Sequence, residues 1–305
     1  MRATWQKWFG ETVVAHATWE LVIMRGLFAW LMWRLLPGSV AYTAQPVPNG
    51  LGHWVNFAIL SDADLWVALR WICGVALVGY AVGAVPVVTL GAPALILIAF
   101  GALENSQGAI GHHLQLTCMV ALAQWGVYLA GAGEGWRRVF WPARADHQTA
   151  VHWAKIVIAA SYVTSACVKL IASGWLWVVQ LPDISLQLIK THANVYYDTL
   201  RPADGWVANQ LPQFISAHPN LTRLFFTPGL VLELLAFIAL AGRGRALLLG
   251  GGLLAMHLLV RTVMNLSFSA HEWLLVIFLL NIPWWLAWSA TALRTRIFPR
   301  KPAVA

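Results

Sequence analysis

Eight apolar stretches, each near the length a helix needs to cross a hydrocarbon layer, constrain this chain more than any other feature. They cover roughly 17–36, 65–83, 85–102, 111–131, 151–172, 225–241, 246–264 and 270–291. Soluble domains are about 25% charged, whereas here charged residues make up 10% and hydrophobic ones 59%, with a mean hydropathy of +0.66. Only lipid can cover so much apolar surface in 305 residues. The expected class is therefore all-α, a polytopic membrane bundle of about eight transmembrane helices. Nineteen tryptophans fit that class, since indole rings favour the headgroup boundary.

Loop charge predicts the orientation. With the N-terminus inside, the inside segments hold Arg2, Lys7, Arg137, Arg138, Arg144, Arg243, Arg245, Arg294, Arg296, Arg300 and Lys301. The outside connections hold Lys190, Arg201 and Arg223, all in one long loop. Basic residues gather on the cytoplasmic side, so both termini are expected there, in what reads as a bacterial inner membrane. The domain plan follows: a cytoplasmic segment 1–15, a transmembrane domain 16–291 and a basic tail 292–305. Within the domain, 173–224 is too long for a simple connector. Its alternation of Trp175, Trp177, Leu181, Ile184, Leu188 and Ile189 with polar residues predicts short helices lying in the outer interface as a cap.

Other classes recede on the same residues. The net charge of +8 is spread over loops and termini rather than forming a patch, which argues against nucleic acid. Cys73, Cys118 and Cys167 sit in separate apolar stretches without CxxC spacing, so neither a disulfide framework nor a metal site is expected. The histidines lack HxxxH or HExxH spacing, and zinc is not expected.

Ionisable residues inside apolar stretches mark function by default, because a charge there costs a few kcal/mol or more. Lys169, His113, Glu233, His257 and Arg261 are such residues. In the expected topology His113, Lys169, His257 and Arg261 come from three spans to one depth, the outer leaflet, with Glu233 nearer the middle. Tyr162, Ser165 and Lys169 recur at intervals of three and four, hence on one helix face. Beside Arg261 the lysine would serve as a base; beside Glu233 it would be held as an ammonium. Spacing leaves both open. Glu20 and Arg25 are expected to be a structural or snorkelling set, and His271 and Glu272 ordinary boundary residues.

Four stretches carry a resemblance: YVTSACVKL at Tyr162–Leu170 followed by Ser173-Gly174-Trp175, GHHLQLT with His113, TPGLVLELL with Pro228 and Glu233, and AMHLLVRTVMNLSFSAHEW with His257. Over roughly residues 15–290, and with these features in the same order along the chain, it resembles the membrane domain shared by vitamin K-dependent γ-glutamyl carboxylases and their bacterial relatives, the HTTM (horizontally transferred transmembrane) proteins. The resemblance implies Lys169 as the base that deprotonates a reduced, vitamin K-like quinone at a site facing the lumen or periplasm. It implies His113 and His257 as groups that orient the reactants or stabilise an anion. Tyr162, Arg261, Glu233 and Trp175 are expected to line the substrate pocket, and no metal is implied. The carboxylases have a second lysine where this chain has Val168, and a large extramembrane region after the bundle that grips protein substrate. The chain ends at Ala305 without a counterpart, so the expectation is carboxylase-like chemistry or binding on a quinone-like or isoprenoid lipid, with an accessory protein as a further partner. Two rivals stand beside it: a non-catalytic component that binds lipid or a partner protein, and a proton-coupled transporter, which would need ionisable residues on the cytoplasmic side beyond Arg25 and Glu20.

Overall fold

The computed structural model describes residues 14–108, 112–201 and 205–297, the side chains of 292–297 excepted. The expected terminal segments, with Arg2, Lys7, Arg294, Arg296, Arg300 and Lys301, thus lie almost wholly outside the described side chains. Among the described residues every regular element is helical, as an apolar backbone that must satisfy its own N–H and C=O groups requires. The main elements are α1 (Thr18–Leu35), α2 (Ala63–Val82), α3 (Pro86–Ser106), α4 (Gln115–Ala132) and α5 (Arg144–Ala172). Then come α6 (Ile184–Thr199), α7 (Leu211–Ala217), α8 (Pro219–Leu234), α9 (Arg243–Met264) and α10 (Ser269–Thr291).

Five of these, α2, α3, α5, α9 and α10, are long and apolar enough to cross a membrane. The other three expected spans are helical as well, but α1 carries Glu20, Arg25 and Arg34 within its 18 residues. The 18 residues of α4 include Gln115 and Gln124. α8 ends after 16 residues and passes at Leu235 into a 3-10 turn, Ala236–Ala241. Local chemistry sets the ends. Asp62 accepts the Leu65 N–H at 2.8 Å to cap α2, and Gly83, at φ +87°, closes it in the left-handed conformation glycine adopts without strain. Pro86 stands at the first position of α3, where its missing N–H costs nothing.

Packing follows the apolar faces. Phe28 of α1 meets Tyr80 and Phe278 edge-on, at ring distances of 6.3 and 5.5 Å, in the centre of the core. A β-carbon at Gly250 would stand 3.0 Å from Leu279, so the glycine run of α9 serves close helix packing. The opposite face of α2 leaves Trp71, Val75 and Val78 exposed, the surface a lipid-facing helix presents. Residues 173–224 do not hang loose: Leu188 of α6 and Leu211 and Ile215 of α7 bury against Met264, the last residue of α9.

A polar assembly ties the bundle together where α5 and α9 begin. Glu20 accepts hydrogen bonds from both Arg243 terminal nitrogens (2.7 and 3.1 Å), from Asn281 Nδ2 (2.7 Å) and from the Ala17 N–H (2.8 Å), and it lies 3.1 Å from His16 Nδ1. Lys155 Nζ is 2.9 Å from His16 Nε2. An ammonium can only donate, so the ring must present a lone pair at Nε2 and carry its proton at Nδ1, facing Glu20. Arg144 and Gln148 hold the His16 carbonyl at 2.8 and 2.5 Å, and Arg243 reaches the Ala15 carbonyl at 3.0 Å. The short segment before α1 is thereby strapped across the helix ends. Glu20, expected as structural or snorkelling, is structural. Arg25 is buried too, its Nε donating to the Ala81 carbonyl at 3.2 Å rather than reaching a headgroup.

Candidate functional site

Towards the opposite end of α5 and α9 the helices part from α8 and enclose a cavity of about 810 Å³, within the size range of sites for small organic ligands. Its walls are mostly apolar, with Phe225, Phe226 and Leu232 from α8, Met256 and Val260 from α9, and Phe268 beyond them. The polar groups come from four places. α5 supplies Tyr162, Ser165 and Lys169, one row on one face, as their spacing predicts. α8 supplies Glu233, α9 His257, and the first turn of α10 His271.

Two contacts organise these groups. Lys169 Nζ lies 2.6 Å from each oxygen of Glu233, closing the pair on itself. The carboxylate is almost fully buried while the lysine is about one-third exposed towards the cavity. The Tyr162 hydroxyl is 2.7 Å from His257 Nε2, with both side chains buried. Trp177 places its ring 5.8 Å from Lys169 Nζ, within cation–π range. Pro228 sits inside α8 five residues before Glu233; lacking an N–H, it leaves the Leu224 carbonyl without its helical donor and loosens the turn before it.

The structure brings together Lys169, Glu233, Tyr162 and His257 of the expected residues. It sets three others apart. Arg261 is one turn beyond His257, yet its guanidinium reaches Glu272 at 2.9 Å and does not line the cavity. The neighbour of Lys169 is therefore the carboxylate, not the arginine. His113 precedes α4 in a turn, with an exposed ring whose Nε2 is 3.4 Å from Glu104 Oε2. Trp175 follows α5 with φ +69°, and its ring is exposed. Trp177, two residues on, takes the cavity position instead. Sequence reading passed over Trp177 as a site residue and took His271 for a boundary residue. Nothing in the local spacing distinguishes Trp177 from its exposed neighbour.

Cationic and anionic groups thus gather at both ends of α5 and α9. Lys155 and Lys169 are 14 residues apart, about 21 Å along a helix. His16, Lys155 and Arg243 join Glu20 at the far end, so that end holds more ionisable groups than Arg25 and Glu20 alone. Between the assemblies, Ile158, Ala159 and Leu253 are packed and buried.

The molecule is, among the described residues, an all-helical protein with five helices long and apolar enough to cross a membrane and a largely apolar cavity that holds one lysine–glutamate pair and one tyrosine–histidine pair. No family model matches the chain, and neither does any curated protein or solved structure.

Proposed function

We propose that this chain is an HTTM-type integral membrane protein that takes a quinone-like or isoprenoid lipid into the cavity and moves a proton from its polar head, with Lys169 as the base. The observation that carries the reading is the cavity itself, apolar along its length and furnished with Lys169, Glu233, Tyr162 and His257 in one place. An apolar tail fits the walls, and a hydroxyl or carbonyl head fits the polar end. Because Glu233 grips Lys169 through both oxygens, the lysine acts as a base only once its own proton has passed to the carboxylate or away from the site. Tyr162 and His257 orient the head and stabilise the anion that forms. Activity of this kind resembles the quinol-oxidising core of the vitamin K-dependent carboxylases.

In this reading α1, α4 and α8 cross the bilayer with the five longer helices, giving eight spans in a bacterial inner membrane. Both termini and Arg137–Arg138 face the cytoplasm, and 173–224 caps the cavity on the outer side. Single cysteines at Arg138 and Asn194 test it: a membrane-impermeant maleimide should label the second from outside and not the first. Labelling at Arg138 from outside would sink the arrangement.

Occupancy is tested by mass spectrometry of lipids carried by the purified protein. Wild type should retain a quinone or isoprenoid lipid that a Ser165→Trp variant, with the cavity filled, releases. If both carry the same bulk phospholipid alone, the substrate class is wrong. The closure of the Lys169–Glu233 pair favours one alternative, a lipid-binding component without chemistry, in which the pair only holds α5 to α8. Turnover by Lys169 variants separates the two readings.

A further inference from the structure

If a proton leaves the lipid head at Lys169, as proposed above, it must also reach water, and the cavity walls are apolar. The side chains beyond Tyr162 form a sequence of exchangeable groups that leads there. Ser165 stands between Lys169 and Tyr162 on the same face of α5, four residues from one and three from the other. The Tyr162 hydroxyl meets His257 Nε2 at 2.7 Å. The His257 ring lies 5.9 Å, centre to centre, from the His271 ring. The first turn of α10, which carries His271, packs against α4. His112 and His113 stand three and two residues before the start of α4. His113 faces Glu104, and both are exposed to solvent.

A second observation points the same way. His257 Nδ1 and His271 Nδ1 are both buried without a protein hydrogen-bond partner. Orphaned buried polar atoms are rare in folded proteins. A water held between the two rings would give both nitrogens a partner and would join them by hydrogen bonds. Imidazole suits the task, since it accepts a proton at one nitrogen while releasing another from the second; it ends neutral in its other tautomer and resets by ring rotation or a return hop along the path.

We propose that Tyr162, His257, His271 and the His112–His113 pair conduct protons between the cavity and the surface at Glu104. Each ring takes one proton and gives one up, so no group is consumed. The charged groups beside the path are Lys169 and Glu233 at its start, and Glu272 with its partner Arg261 alongside His271. This assigns a role to His113, which lies outside the cavity, and to His271, whose ring has no other evident task. Both are positioning and relay residues rather than groups that touch the substrate.

The test is a stopped-flow pH jump on the full-length protein in lipid nanodiscs, read by the infrared carboxyl band that Glu233→Gln removes. His271→Phe keeps ring volume without nitrogen, and His271→Gln is the second variant should the first not fold. Both should reach the wild-type end point with a relaxation slowed roughly tenfold or more, and His113→Gln should slow it less. Glu134→Gln, at a surface ion pair away from the path, should match wild type. Wild-type rates in the His271 variants would overturn the relay and leave the cavity reading standing. A Glu233 band that does not respond to pH even at equilibrium in wild type would overturn both.

Discussion

Glu20→Leu should cost the protein about 3–5 kcal/mol of stability, the range for removing one partner of a buried ion pair. Glu20 is buried and receives charge-assisted hydrogen bonds from Arg243, with Asn281 and the Ala17 N–H completing its shell. Without it the Arg243 guanidinium, mostly buried, and the Lys155 ammonium remain at the helix ends with no carboxylate between them. Glu20→Gln keeps an acceptor and loses the charge, so about 1.5–3 kcal/mol is expected, the worth of a hydrogen bond to a charged group. The contrast is Glu134→Gln, which breaks the exposed pair with Arg138 and should change stability by about 0–1 kcal/mol. Reversible unfolding in mixed micelles measures all three. A Glu20→Leu loss no larger than that of Glu134→Gln would show that the buried assembly carries no particular weight.

Lys169→Arg should abolish quinol turnover while leaving the fold and lipid occupancy intact. A guanidinium keeps the charge and its pairing with Glu233 but stays protonated, so it cannot serve as a base. General-base removal costs about 10²–10⁴ in rate. Lys169→Met instead strands the buried carboxylate of Glu233 and should lower stability as well as turnover. Adding Glu233→Leu to Lys169→Met should restore much of the stability and none of the turnover, since an apolar pair replaces an ionic one. Turnover of a reduced quinone in nanodiscs, set beside thermal unfolding of the same preparations, reads both effects. Full activity in Lys169→Arg would leave the lysine a structural partner of Glu233.

Helix positions were legible wherever apolar length decided them, and the row Tyr162, Ser165, Lys169 followed from intervals of three and four alone. His257 and Glu233 stood out because polar residues are costly in such surroundings. Side-chain direction was not legible. Arg261 shares a face with His257, but a long guanidinium reaches whatever acceptor lies nearest, and Glu272 on α10 is that acceptor. Trp175 and Trp177 are two residues apart, and nothing in their spacing tells the exposed ring from the one at the cavity. The assembly around Glu20 was hidden for another reason. Beyond the local contacts of His16 and Ala17 with Glu20, its hydrogen bonds join residues 128 to 261 apart, and no local periodicity relates Lys155 to His16 or Asn281 to Glu20.

Those separations bear on how the molecule is made. Glu20 belongs to the first helix among the described residues, while Arg243 and Asn281, which supply three of its hydrogen bonds, emerge 223 and 261 residues later. At about 5–20 residues per second, the ribosome needs tens of seconds to deliver them. Throughout that interval a carboxylate destined for the interior has to be kept hydrated or be held by other insertion machinery, and α1 stays provisional. The closing of the bundle is therefore a late event of biogenesis, and a nascent chain arrested before Asn281 should leave α1 unanchored.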